Sequence, residues 1–268
     1  MKRSCFLLLS FALFFLLGRT TAQEKQRNDS IYLMARPDSI LFDAASTAII
    51  VIDMQNDFGT KGGMFDKAGI DISTIQKVVN PIANVLTAAR KRGLKIIYLK
   101  MGFKPDLSDL GSMEYPTRVK RAKRLHIGDT IIAPNGARSR VLVHDTWNTE
   151  ILQQLKPLPE DVVIQKNRFN GFYQTTLDSI LRSLGKKYLI ITGCTTSICV
   201  ESTVRDASFR GYMPIVLEDC TAEPIGHNFS RSNHEASLLI IQSSFGLISS
   251  STEFIKALGI DSKEGLGM

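Results

Sequence analysis

Three side chains, far apart in the chain, end hydrophobic runs of the kind that form buried strands. Asp53 closes "AIIVID", Lys166 closes "DVVIQK", and Cys199 follows "KYLIIT" within "TGCTTSICVESTVRDA". Together they have the parts of a working nucleophile. A cysteine attacks as thiolate, and its ordinary pKa of about 8.5 falls near a cation or a helix start. Lys166 is a candidate cation, and Cys199 falls in the first turn of a helix expected after Gly193. Asp53 is a candidate base, able to take the thiol proton and hand it to a leaving amine. The first-turn backbone amides around Thr195 to Cys199 are expected to point at an oxyanion on an attacked carbonyl. Cys194 is still at the strand end and lacks that placement. Taken singly, each residue also has an ordinary role as turn former, solvated charge or packed thiol. Only the set carries the argument.

The elements that must position this set are legible. Six short runs rich in Val and Ile recur at 48–53, 95–100, 161–166, 187–192, 213–219 and 245–250. Most are continuous rather than alternating, as in strands buried on both faces of a parallel sheet. Helical patterns lie between them at 73–92, 147–155, 174–184, 197–210, 230–243 and 251–258. Ser73 is the expected cap of the first, and Pro81 predicts a kink or a later start there. Alternation of strand and helix defines an α/β class with a mostly parallel sheet covered on both sides. Ligands in such sheets bind beyond the carboxyl ends of the strands, where Asp53, Lys166 and Cys199 fall.

Residues 101–146 carry no clear strand and read as a functional or mobile connection. Within them "RVKRAKRLH" holds five basic residues from Arg118 to Arg124, read as a solvated helix face ahead of an anion-binding or subunit-contact role.

The chain opens "MKRSCFLLLSFALFFLLGRTTAQ", with Lys2 and Arg3 before an apolar run and small residues at Thr20 and Ala22. This is the pattern of a secretory signal peptide over residues 1–22, and the run is too short for a spanning helix. The expected location is periplasmic or secreted, with no stable membrane insertion after cleavage. Removing residues 1–22 takes away Lys2, Arg3 and Arg19 and no acid, so the formal charge falls from +7 to +4. That mild excess calls for no nucleic acid partner. Residues 23–38 read as a loosely held polar leader, and 39–262 as one domain. Cys194, Cys199 and Cys220 remain, and their odd number leaves at least one thiol unpaired within the chain. For Cys194 and Cys220 the expectation is two reduced, packed thiols.

The segments "AIIVIDMQNDF", "VVIQKNRFNGFYQTTLDSILRSLGKKYLIITGCTTSICVESTVRDA" and "PIVLEDC" resemble the isochorismatase-like cysteine hydrolases. The resemblance implies a three-layer α-β-α fold whose six-stranded sheet has the order 3-2-1-4-5-6. It implies catalytic roles for Asp53, Lys166 and Cys199, an oxyanion hole from the Thr195 and Cys199 amides, and a cis peptide between Cys194 and Thr195. It places the substrate pocket around Gln55, Phe58, Met101, Phe103 and Phe169. Within the family, "ARPDSILFD", "GGMFDKAGIDIST", "NGFYQTTLDSILRS" and "CVESTVRDA" are most similar to the ureidoacrylate amidohydrolases. Two positions depart from that type. Met101 in "MGF" replaces an Asn, and Phe169 replaces a Tyr, so two hydrogen-bonding groups are gone and a less polar substrate is expected.

Metal-binding members use an Asp-x-His segment with further histidines; His126, His144, His227 and His234 form no such cluster, so no metal is expected. "GTKGG" at 59–63 does not open a helix, and no nucleotide or other cofactor is implied. The reading is therefore an exported amidohydrolase, expected as a homo-oligomer. It would cleave a C–N bond of a small amide or carbamoyl compound through a thioester at Cys199. Its rivals are vinyl ether hydrolysis of the isochorismatase type and a non-catalytic redox or binding protein using Cys194 and Cys220.

Overall fold

The computed structural model of the 268-residue chain describes residues 30–112, 114–226 and 230–260. The signal peptide read over residues 1–22 lies outside the described residues. Among the described residues no helix is long and apolar enough to cross a membrane.

Ten strands and eight α-helices are described. The strands are β1 (Ser30–Leu33), β2 (Ile40–Asp43), β3 (Thr47–Ile52), β4 (Lys95–Met101), β5 (Thr130–Ile132), β6 (Arg138–Arg140), β7 (Val162–Lys166), β8 (Tyr188–Cys194), β9 (Met213–Ala222) and β10 (Leu247–Ser249). The helices are α1 (Asn56–Gly59), α2 (Met64–Lys67), α3 (Ser73–Lys91), α4 (Pro116–Arg124), α5 (Leu177–Ser183), α6 (Glu201–Phe209), α7 (Asn233–Ser244) and α8 (Ser251–Ala257).

Six strands form one parallel sheet in the order β10-β9-β8-β3-β4-β7. Counted over the six hydrophobic runs alone, this is 3-2-1-4-5-6 read from the β7 edge. The numbers differ only because four short strands stand outside the sheet. Central β3 is buried along its whole length. Its Ile49 and Val51 join the core on one face, while Ala48, Ile50 and Ile52 join the core on the other. That two-sided burial is why the run is continuous rather than alternating.

Helix α3 is one helix from Ser73 to Lys91 with Pro81 inside it, so its start is not delayed to the proline. Ile75, Val78, Val79, Ile82, Val85, Leu86 and Ala89 are all buried on its inner face. At ~1.5–3 kcal/mol for each large side chain, their burial outweighs the ~3 kcal/mol cost of an interior proline. Ser73 does not cap this helix. Instead Asp71 accepts from the Ser73 amide and hydroxyl, both at 2.9 Å.

Three other expectations need correction. Residues 30–33, read as part of the loosely held leader, form β1, which pairs antiparallel with β2 and buries Ile31 and Leu33. "SIYL" alternates with period two, the mark of a half-buried strand. The helix expected at 147–155 is two 3₁₀ turns, Trp147–Thr149 and Gln153–Leu155. The segment 101–146 contains α4 and the β5–β6 hairpin, whose three-residue strands are too short to leave a periodic signal.

Candidate active site

Asp53 and Lys166 come together at the carboxyl end of the sheet because β3, β4 and β7 are adjacent and parallel. Lys166 Nζ donates to Asp53 Oδ2 at 2.7 Å and to the Arg168 carbonyl at 3.2 Å. Both side chains are almost wholly shielded from solvent. Asp53 has a left-handed backbone, φ 53°, uncommon for a residue with a side chain and frequent at functional sites. Its Oδ1 is buried without a hydrogen-bond donor, which leaves it free to accept a proton.

Cys199 reaches this pair from a π-helical turn, Thr196–Val200, that follows β8 and runs into α6. The cis Cys194–Thr195 peptide opens that turn. Gly193 just before it has φ 116°, and a Cβ there would run into the Ile52 backbone, so only glycine lets β8 lie this close to the end of β3. Glu223, on the segment after β9, is buried and accepts from both the amide and hydroxyl of Ser197. Thr196 Oγ1 meets His234 Nδ1 at 2.9 Å. Thr203 Oγ1 donates to the Cys199 carbonyl at 2.7 Å. The turn is thus pinned from three elements. Neither Glu223 nor His234 stands out in the sequence, since each contacts the turn only through the fold.

The electrostatics correct one expectation. Lys166 was expected to lower the thiol pKa, but burial pushes Cys199 above the ordinary thiol range, with Lys166 opposing and Asp53 adding to the rise. Burial likewise raises Asp53 against the pull of Lys166, while the charges of Asp53 and Cys199 outweigh desolvation and raise Lys166. The resting site is a protonated thiol beside an unusually basic carboxylate held by a firm cation.

Cys194 and Cys220 are also wholly buried, and the three cysteines described are unbridged. Cys194 donates to the Asp53 carbonyl at 3.2 Å, and its cross-strand partner on β9 is Ala222 rather than Cys220. Burial raises both thiols, so neither is poised as a redox group.

Asp53, Cys199, Cys194 and Thr195 open onto a cavity of about 210 Å³ lined mostly by apolar side chains. Phe58, Met101, Phe103 and Phe169 line it, as expected, and Met101 Sδ lies 3.9 Å from Lys166 Nζ. Gln55 does not. Its amide is fully buried, donating to the Met101 and Thr149 carbonyls and accepting from the Met101 amide, so it fixes the end of β4 behind the cavity wall. Asp57 fixes two more walls by accepting from the amides of Met64 and Leu142, at 2.9 and 2.7 Å. Burial raises its pKa to about 6.

Arg121 and Arg124 of α4 also line the cavity. The segment read as a solvated face therefore splits, with Lys120 and Lys123 exposed while Arg118 and Arg121 are half-buried. The spacing of Arg118, Arg121 and Leu125, one helix face starting at Pro116, was the available signal. Among the described residues no group of three or more His, Cys, Asp or Glu side chains could hold a metal ion.

A parallel α/β sheet thus gathers a buried thiol, carboxylate and ammonium at its carboxyl end. Residues 47–253 match the isochorismatase domain model, and the chain belongs to the isochorismatase family. It is 37% identical over 235 residues to the ureidoacrylate amidohydrolase RutB of Methylorubrum extorquens, covering 88% of this chain and 92% of that protein. Among solved structures it is similar to a cysteine hydrolase from Pseudomonas syringae pv. phaseolicola, with 27% identity and TM-score 0.67, covering 81% of this chain and 94% of that one. It shares its fold with N-carbamoylsarcosine amidase from Thermoplasma acidophilum, at 24% identity and TM-score 0.55, covering 77% of this chain and 96% of that one.

Proposed function

We propose that this protein is an exported cysteine amidohydrolase that cleaves a C–N bond of a small amide or carbamoyl compound through a thioester at Cys199. The observation that carries the reading is that Asp53, held from behind by the buried Lys166 at 2.7 Å, opens with Cys199 onto one cavity. The thiol proton passes to Asp53 as sulfur bonds to the substrate carbonyl carbon. The oxyanion that forms is received by the Thr195 and Cys199 amides. As the tetrahedral centre collapses, the C–N bond breaks and Asp53 returns the proton to the departing nitrogen. Water then attacks the thioester, giving a proton to Asp53, which restores it to the leaving sulfur. The likeness to ureidoacrylate amidohydrolase supports the carbonyl-attached nitrogen as leaving group.

A panel of simple amides, ureides and carbamoyl amino acids, followed by ammonia release, tests this. Met101 and Phe169 both line the cavity. The Met101→Asn, Phe169→Tyr double variant should therefore raise kcat/KM for carbamoyl compounds relative to apolar amides, by about tenfold for one regained hydrogen bond. A wild-type enzyme that already prefers ureides would defeat the idea that the pocket has become less polar. Export predicts that protein recovered from its native compartment begins at Gln23. An intact residue 1 on the recovered protein would refute cleavage.

A further inference from the structure

Two segments that line the apolar cavity hang on one buried side chain. Thr195, Ile198 and Cys199 belong to the turn after β8, while Ile225 belongs to the segment after β9. Glu223 Oε2 accepts from the Ser197 amide at 2.9 Å and from the Ser197 hydroxyl, and its Oε1 accepts from the Ile225 amide at 3.0 Å. We propose that Glu223 is a positioning residue that sets the nucleophile turn and the Ile225 wall of the cavity against each other. One carboxylate then governs both how Cys199 is presented and how an apolar substrate is held beside it. This rests on Cys199 being the reacting atom.

The sheet alone does not fix this relation. Register between β8 and β9 breaks between Ile191 and Gly193, so that Ile191 pairs with Val216 but Gly193 with Thr221. Beyond the break the two segments depend on side chains for their spacing. Helix α7 adds two ties, since Asn233 Nδ2 donates to the Ile225 carbonyl at 3.1 Å while His234 Nδ1 meets Thr196 Oγ1. Gly226 has φ 73°, and a Cβ there would strike the Asn233 side chain, so the Ile225 segment passes close against α7. Glu223 is the one of these three that touches both walls directly.

The choice of a carboxylate points to more than packing. Glu223 is 4% exposed, and among the described residues it belongs to no ion pair. Burial holds His234 below the ordinary histidine range against the pull of Glu223, so the imidazole brings no full counter-charge at neutral pH. Burying a charge on neutral donors is costly, and a neutral side chain would fill the same space at less cost. What a carboxylate adds is an acceptor at both oxygens. Glutamine has one oxygen, and its amino group would face either the Ser197 amide or the Ile225 amide, donor against donor.

The test reads Cys199 directly rather than turnover. 2-Bromoacetanilide forms an S–C bond at the thiol while its C–Br bond breaks; bromide leaves and the thiol proton passes to Asp53. The concentration dependence of Cys199 labelling, followed by peptide mass spectrometry, gives kinact, which reads thiol placement, and KI, which reads the cavity wall. Glu223→Ala should lower kinact and raise KI, each by about tenfold or more, the scale of one charge-assisted hydrogen bond. Glu223→Gln, which keeps the volume and one acceptor, should shift at least one constant and by less. Lys120→Gln, on the exposed side of α4, should keep both, and a shift there as large as in Glu223→Ala overturns the assignment to Glu223. A purely structural glutamate would lower the urea midpoint and leave both constants of the folded protein at wild-type values. That result, or a shift of one constant alone in Glu223→Ala, overturns the positioning role. Should Glu223→Ala not fold, Glu223→Gln decides, and wild-type values of both constants there overturn the proposal. Failure of the wild type to label at Cys199 overturns the nucleophile assignment instead, and the inference falls with it.

Discussion

Cys199→Ala is expected to lose turnover by a factor on the order of 10⁴ or more, the scale on which a nucleophile and its base act as one unit. The fold should survive. Cys199 contributes one buried sulfur to the core on its face of the sheet, beside Ile97, Leu99 and Val200. Deleting a single buried atom costs about 1–2 kcal/mol even where the gap does not collapse. Urea unfolding of the variant should show a midpoint near that of the wild type alongside the loss of activity. The experiment also separates the two chemistries open to this family. Vinyl ether hydrolysis needs an acid and an activated water but no thiol. A Cys199→Ala enzyme retaining most of its activity would place the reaction on Asp53 and water, and the thioester would be wrong.

Why Asp53, Lys166 and Cys199 are read from the chain while Arg121 is taken for a solvated charge is a matter of where each stands. The first three sit at or just past the ends of continuous β-branched runs, and a parallel sheet gathers such positions at one edge whatever the loops do. Arg121 stands on a helix with no apolar stripe of its own, in a connection whose path depends on what it lies against. Its neighbours Lys120 and Lys123 are exposed, and only the fold turns Arg118 and Arg121 the other way. Gln55 failed for the opposite reason. It lies two residues past Asp53, at a position that reads as pocket, but its amide is consumed by the backbone of Met101 and Thr149. The protonation state of Cys199 was also beyond the sequence. A cation and a helix start were visible, yet the burial that outweighs them comes from residues throughout the chain.

That protonation state decides what Lys166 is for. With a preformed thiolate, the lysine would be its counter-ion. With a protonated thiol, it stabilises Asp53 as the base, and removing it has a different signature. Lys166→Met is expected to lower kcat by about 10² or more at neutral pH, the usual worth of a general base. The Asp53 side chain would stay buried without its partner, so its already raised pKa would climb further. Activity of the variant should therefore rise with pH as Asp53 ionises, over a range where the wild type is flatter. Stability should move the other way. A carboxyl with a folded pKa above its unfolded value is most favourable when protonated, so its contribution is full at low pH and is lost as pH rises through the folded pKa. Above that range an unpaired buried carboxylate costs about 3–5 kcal/mol. Adding Asp53→Asn to Lys166→Met should restore much of the stability and none of the activity, since the double variant buries no charge and has no base. Urea midpoints and kcat across pH for both variants make the comparison. A Lys166→Met enzyme with wild-type stability above neutral pH and an unshifted pH–rate profile would mean that the lysine does not hold Asp53 in its working state.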